Sequence, residues 1–519
     1  MNPNYMFWYG GYKVSDLQWL MKALTDLRRD SWKEDMPLYI DLGSGRWPHN
    51  VTAIREQAAV SLLKALANDS TKSVRSLIVR NGDMDVKVQE ALLEVFEHNH
   101  TLQSIYLKDL RTTHGRRQGQ LVIPPRLFQN SPCLTDLRLE LSRMDKESCK
   151  ALAELIRAED CQLKTLTLYG ITIICSTGDD ESEGTAEADS TGLASLASAI
   201  AVSRSLRRLS LRKIRFASFE DDVEVPSPSS DFAKDVNLLL DAIGMNDSLK
   251  FVQMEDMELG TAHALHLGTM IGTNQHLEEL QLEKNNLQGS CVERILLGGE
   301  GNGGLIRNNT LRSLSLSSNP VGDDGARHVV QAFRSNSTLH TLHLVDCEIW
   351  RRGCESIVLE GFPTWVGARN PCVGGLREIT LDGNDIEECG QTILHVLQTN
   401  QTCSIFRMLN TLPRLIREEE AADDEGTSIW KRVDLLLRSN KANRRFLVQD
   451  TNEVCLPLLP AVLSGCRDDF TSSAVGSEEC QGGPSRSRTT SATAPSSSSN
   501  EMEVDVLFEM LRLTVPLLY

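Results

Sequence analysis

The sequence predicts an α/β solenoid, a horseshoe with a parallel sheet on its concave side and helices on its convex side. Three observations predict it. A short pattern, L-x-x-L-x-L, returns ten times, opening at Val74, Leu102, Leu134, Leu163, Leu206, Leu249, Leu277, Leu311, Leu339 and Leu376. Between copies the apolar residues change to helical spacing, as in Ala91-Leu92-Leu93-Glu94-Val95-Phe96. The 519 residues also exceed the roughly 250–300 at which one globular core stops growing. Self-similarity at a fixed period accounts for such length without several separate cores.

Taken in chain order, residues 1–35 read as a capping segment. Ser15 to Arg29 forms an amphipathic helix, with Leu17, Leu20, Met21, Leu24 and Leu27 on one face. Residues 36–410 carry the repeats. A degenerate copy around Leu38, Ile40 and Leu42 precedes the ten clear ones, and another at Cys403, Phe406 and Met408 follows them, giving about 10–12 repeats. Successive openings lie 28 to 43 residues apart, so the unit is a strand, a loop, a helix and a return turn. The two longest repeats are adjacent and hold acidic insertions near 175–190 and 217–232. Stacking places them side by side as a mobile acidic fringe, with a basic loop (Arg111, His114, Arg116 and Arg117) on the same rim. Residues 411–466 read as a helical cap carrying Val433, Leu436, Leu437 and Phe446. Residues 467–502 are rich in Ser, Thr, Gly and Pro and read as a disordered linker. Residues 503–519 form a final apolar helix that folds back over the last repeat, or docks on a partner.

Side chains alternate along a strand, so the x positions face outward on the concave side. The early repeats present Arg80, Tyr106, Lys108, Arg138, Arg208 and Arg212 there. The later ones present Phe251, Glu255, Glu279, Glu283, His343, Glu378 and Asp382. Asp136 and Glu140 depart from the trend, but the face runs from basic to acidic. Such a surface orients a partner by charge complementarity.

Composition narrows the function. A net charge of −17 disfavours nucleic acid, whose phosphates need clustered Lys and Arg, and anionic membrane surfaces. Met1 to Gly11 lacks a charged segment followed by an apolar run, and no window reaches the length of a membrane span. The expected location is therefore cytoplasmic, with the nucleus open. The 13 cysteines form no C-x-x-C pair, and Cys149, Cys347 and Cys403 sit within apolar periodicity. They read as small buried hydrophobes, with no metal site expected. His340 and His343 share a strand but lack a ligand partner. No phosphate loop, nucleophile elbow or kinase signature is present. The reading is therefore non-catalytic and without a cofactor.

The repeat resembles the ribonuclease-inhibitor-like class of leucine-rich repeats. Its shortest units have that class's length, and its ninth position is often Asn or Cys: Asn285, Asn319, Cys347 and Asn384. Several junctions read N-x-S/T, at Asn99, Asn246, Asn336, Asn400 and near Asn309. Recurring at one repeat position, they read as turns, not glycosylation sites. The resemblance implies the fold; a repeat surface with no catalytic set reads as a scaffold or adaptor, monomeric alone, that binds another protein. Two alternatives remain open. The acidic run Glu418, Glu419, Glu420, Asp423, Asp424 and Glu425 resembles the acidic tail of a repeat family of activators for a small nuclear-transport GTPase. The other is the substrate-recognition subunit of a ubiquitin ligase.

Overall fold

The computed structural model describes residues 37–41, 49–67, 74–84, 86–112, 119–120, 122–129, 133–174, 192–220, 223–226, 229–298, 304–361, 378–399, 405–407, 412, 414–417 and 429–441. They fall in two compact units, with the division between Leu339 and His340.

In the first unit, strand and helix alternate. It begins β1 (Leu38–Asp41), α1 (His49–Ala67), β2 (Ser76–Met84), α2 (Val86–His98) and β3 (Ser104–Thr112). There follow β4 (Gly119–Gln120), α3 (Arg126–Gln129), β5 (Asp136–Glu140), β6 (Arg143–Met144), α4 (Lys146–Arg157), β7 (Thr165–Tyr169) and β8 (Thr172–Ile174). Next come α5 (Leu193–Val202), β9 (Arg208–Arg212), β10 (Arg215–Glu220), β11 (Val223–Pro226) and α6 (Ser229–Met245). The unit closes with β12 (Phe251–Glu255), α7 (Ala264–Thr273), β13 (Glu279–Gln281), α8 (Gly289–Leu297), β14 (Ser313–Ser315) and α9 (Gly322–Phe333). One sheet runs β1-β2-β3-β5-β7-β9-β12-β13-β14, and its neighbours are parallel, each strand pairing with the next copy of the pattern. The degenerate first copy thus forms a strand like the rest. The second unit repeats the plan with β15 (Thr341–His343), α10 (Arg351–Ser356), β16 (Glu378–Thr380), α11 (Gly390–Thr399), β17 (Ile405–Arg407) and α12 (Ile429–Lys441). Its strands β15, β16 and β17 pair in parallel, so the degenerate last copy forms a strand too. These elements give the α/β repeat solenoid that the pattern predicts.

The repeated Leu positions form the core. Leu137, Leu166, Leu209, Val252, Leu280 and Leu314 occupy the same position on successive strands and are buried. Each contributes about 1.5–3 kcal/mol. Helices cover them with their apolar stripes. Helix α4 buries Cys149, Leu152 and Ile156, and Asp145 caps it by accepting the Ser148 N–H at 2.8 Å. In the second unit α12 buries Trp430, Val433, Leu436 and Leu437 and packs on α11. The Trp430 ring lies so near Gly390 that a Cβ there would sit 3.0 Å from it. Five of the seven cysteines among the described residues are buried free thiols, Cys149 and Cys347 included. Cys403 lies outside the described residues.

Two rows of buried asparagines stitch repeat to repeat. The first stands three residues before the opening Leu. The Asn274 amide donates to the carbonyls of Ile243 and Asn246, at 2.7 and 2.9 Å. Its oxygen accepts the N–H groups of His276 and Leu277. Asn246, Asn308 and Asn336 do the same, so each asparagine donates to the main-chain carbonyl at the equivalent position one repeat back. Asn99 makes the equivalent bond to Leu66. Asn99, Asn246 and Asn336 are therefore turn residues, as their recurrence implies. Asn308 is the member beside Asn309, and Ser203 takes the position where an amide is absent. The second row is the ninth position. Asn285 donates to the Met254 and Leu282 carbonyls and accepts from Met257 and Leu259. Asn319 accepts in turn from Asn285 and Leu287. Asn384 plays this part in the second unit, accepting from Cys347 and Ile349.

A left-handed turn recurs after the strands from β5 to β13. Leu141, Gly170, Lys213, Asp256 and Lys284 follow the last outward residue of their copies, with φ of 50°, 62°, 53°, 53° and 53°. That conformation is costly for residues other than Gly. Here it aims the N–H at the next copy's last outward residue, Leu141 to the Tyr169 carbonyl, Gly170 to that of Arg212 and Asp256 to that of Glu283, continuing the ladder beyond the strand.

The acidic insertion near 217–232 departs from the expected mobile loop. Strands β10 and β11 pair antiparallel, Ala217 to Glu220 against Val223 to Pro226, and α6 begins at Ser229. With β8 and β6 they make a second sheet, ordered β11-β10-β8-β6. The cause is the alternating Val223-Glu224-Val225, a strand period, beside Phe216 and Ala217, which are buried. The capping segment 1–35, the insertion near 175–190, the acidic run 418–425, the linker 467–502 and the final helix 503–519 lie outside the described residues. So do Phe446 and the loop residues His114, Arg116 and Arg117.

Replacing Asn274 with Ala removes four hydrogen bonds and leaves buried backbone groups unpaired. Stability should fall by about 2–4 kcal/mol, read as a lower urea midpoint. A loss under about 0.5 kcal/mol would show that water replaces the amide.

Candidate functional site

The open face of the first unit's sheet carries three outward rows, set by the alternation between the inward Leu positions. One row runs Asp136, Thr165, Arg208, Phe251 and Glu279 across β5, β7, β9, β12 and β13. The middle row runs Tyr106, Arg138, Thr167, Ser210, Gln253 and Gln281. The third runs Arg80, Lys108, Glu140, Tyr169, Arg212 and Glu255. Nine of the predicted surface residues, from Arg80 to Glu279, therefore belong to one continuous face, and Glu283 follows β13, its carbonyl accepting from the Asp256 N–H. His343, Glu378 and Asp382 belong to the second unit, where the His343 ring lies 3.0 Å from the Thr380 hydroxyl and Asp382 is buried.

The charges on this face are largely paired, which revises the simple basic-to-acidic gradient. Glu140 is the hub of the first cluster. Its side chain is 1% exposed, with Lys108 Nζ at 3.0 Å and Arg138 in a close ion pair. The Tyr106 hydroxyl donates to it at 2.9 Å. Burial by itself would raise the Glu140 pKa, but the Lys108 bond, the Arg138 charge and the Tyr106 bond prevail and hold it below the usual carboxylate range. Burial pushes the Tyr106 phenol up, and its bond to Glu140 pushes further, so the hydroxyl stays protonated. Glu255 is the second hub, with Arg212 at 2.6 Å and Lys284 at 2.8 Å. Here too burial raises the pKa, and the Lys284 and Arg212 bonds outweigh it.

The two remaining carboxylates in the acidic stretch are held by neutral donors. Gln281 donates to Glu279 at 2.7 Å and Ser315 to Glu283 at 2.8 Å.

Aromatic rings hold the arginines. Arg80 lies over Tyr39 with its guanidinium carbon 4.7 Å from the ring centre, and Arg138 over Tyr106 at 4.7 Å. Arg212 lies over Tyr169 at 4.9 Å and Arg208 over Phe251 at 4.1 Å. The last three pairs are direct cross-strand neighbours. Each such contact contributes about 0.5–1 kcal/mol where exposed. Its larger effect is to fix a flexible side chain in one pose. Tyr39, Tyr169 and Lys284 were not singled out by the sequence reading. Tyr169 occupies the same pattern position as Arg80 and Lys108, so reading the copies in columns exposes it.

Among the described residues, no group of three or more His, Cys, Asp and Glu is placed to hold a metal ion. No helix there is long and apolar enough to cross a membrane.

The sequence profile of the Leucine Rich repeat family matches residues 273–295 and 307–328, around β13 and β14. Ribonuclease inhibitor from Sus scrofa is 31% identical over 113 residues, 21% of this chain and 24% of that protein. Capping protein, Arp2/3 and myosin-I linker protein 2 from Mus musculus is 33% identical over 108 residues, 20% of this chain and 8% of its own length. Tonsoku-like protein from Mus musculus is 26% identical over 170 residues, 33% of this chain and 12% of its own length. The matched stretch is thus a quarter of each relative or less.

Glu140 and Glu255 have folded pKa values below those of the unfolded chain. Their stabilisation is complete above the unfolded value of about 4.3 and is lost as pH falls through the lower folded values. Replacing Glu140 with Gln should lower stability at pH 7 and flatten the decline below about pH 4.5, measured by urea unfolding across pH. Equal acid slopes in both proteins would mean the pairing has no weight.

Proposed function

Because the chain belongs to the ribonuclease-inhibitor-like leucine-rich-repeat proteins, we propose that it is a non-catalytic scaffold. It binds another protein through the open face of its first sheet. Leucine-rich-repeat relatives support protein binding in general; the choice of face is this chain's own. One observation carries it: four arginines, each laid on a ring, stand across β1 to β12. Tyr and Arg are the residue types that concentrate binding energy in protein interfaces. Fixing them beforehand removes part of the entropy cost of association. Among relatives, one is by name an inhibitor of ribonuclease and another a linker protein, both descriptions of proteins that act by contact. The same reading makes the chain a cytoplasmic or nuclear adaptor, monomeric alone, with no cofactor.

The test is quantitative capture from native lysate by three forms of the full chain. They are wild type, a sheet-face variant (Tyr169→Ser with Arg208→Glu and Glu279→Lys) and a helix-face variant (Lys150→Glu with Glu293→Lys). Circular dichroism checks that all three fold. The sheet-face variant should lose the proteins retained by wild type, and the helix-face variant should keep them. The opposite pattern moves the binding surface to the helices.

A further inference from the structure

We propose that the basic-aromatic part of this face, from Arg80 on β2 to Arg208 on β9, takes an acidic segment of the partner protein. This names the partner's chemistry and rests on the reading above. On the three outward rows of β2 to β9, five cations (Arg80, Lys108, Arg138, Arg208 and Arg212) face two carboxylates, Asp136 and Glu140, and Arg212 pairs with a third, Glu255 on β12. The excess is positive, in a chain whose net charge is −17. A basic patch on an acidic protein is a local feature that attracts one sign of partner while the rest of the surface repels it.

Arg208 makes the argument sharpest. It is exposed, and its guanidinium rests on the Phe251 ring at 4.1 Å. No carboxylate lies within ion-pair distance of it among the described residues. A guanidinium has five N–H donors in its plane. Stacking occupies its flat face and not its donor edge, and such an edge can receive a carboxylate through two parallel bonds. Arg138 and Arg212 stand in similar stacks, their side chains 36% and 33% exposed. These two are already committed to Glu140 and Glu255, which keeps them in place.

Nucleic acid is the other polyanion to weigh. Proteins that hold single strands offer bare aromatic faces on which bases stack. Here arginines already cover one face of Tyr39, Tyr106, Tyr169 and Phe251. What the surface offers is guanidinium groups stacked on rings on β2, β5 and β9, each two strands from the next. An extended peptide whose carboxylates recur at a similar interval matches them.

Fluorescence anisotropy of the full chain with three labelled probes tests this: a short Glu/Gly peptide, a Lys/Gly peptide of equal length and oligo-dT. The Glu/Gly peptide should bind best, weaken with added salt and lose about tenfold in affinity when Arg80 and Arg208 are both changed to Ala. Arg208→Lys, which keeps the charge but not the planar edge, should also weaken it, and Glu279→Gln should leave it at least as tight. Preference for the Lys/Gly peptide or oligo-dT, no binding of any probe, or full affinity in the double variant overturns the proposal. If the sheet-face variant loses its lysate partners while the Glu/Gly peptide fails to bind, only the partner's chemistry falls, and the binding face stands.

Discussion

Everything on the open face depends on how the repeat buries its own backbone. A solenoid of short strands and helices has many loop ends, and each end leaves N–H and C=O groups without partners in their own element. Stacking takes those groups away from water. The two asparagine rows resolve the conflict. One side-chain amide both donates and accepts, so a single Asn satisfies groups in its own repeat and in the one before it. In the first row the acceptor in the earlier repeat is the main-chain carbonyl of an equivalent asparagine, at Asn246, Asn274 and Asn308. The spacing of one repeat is thereby tied to the spacing of the next.

That constraint fixes the geometry of the face. Parallel strands held without slippage bring the outward positions into rows about 4.8 Å apart. At that distance an arginine on one strand reaches the ring or carboxylate directly opposite on its neighbour. The clusters around Glu140 and Glu255 exist because Lys108, Glu140, Tyr169, Arg212 and Glu255 share one pattern position on adjacent strands. A slip of one residue would turn the row into the core. Register set in the buried loops is therefore what allows a charged carboxylate with 1% exposure to be tolerated: its three donors arrive at known places.

The fold was legible because its signal is periodic. The pattern located a strand for each copy, including the weak first copy at Leu38 and the weak last one near Phe406, since burial of one apolar side leaves a regular trace. The ninth-position asparagines were legible for the same reason. The pairing of β10 with β11 was not, because it sits in an insertion, where no repeat supplies an expectation and only Val223-Glu224-Val225 hints at a strand. The composition of the face was legible and its state was not. Sequence lists Arg138, Lys108 and Glu140 as charges to be summed. Only the pairing of strands shows that they neutralise one another. Tyr106 and Phe251 were legible on this face, whereas Tyr39, in the degenerate first copy, and Tyr169 come into line only when the copies are read in columns, although each one decides where an arginine sits.

Pairing and function are therefore not rivals on this surface. A lone exposed arginine samples many rotamers, and a partner must bear the cost of selecting one. An arginine bound to a ring and a carboxylate has borne that cost during folding. Its charge is partly spent, which weakens attraction at long range and leaves short-range geometry to discriminate among partners. Arg208, held by a ring alone, keeps its full charge. A face built from both kinds separates the two tasks. Attraction falls to Arg208, and fit falls to the groups that pairing has already fixed.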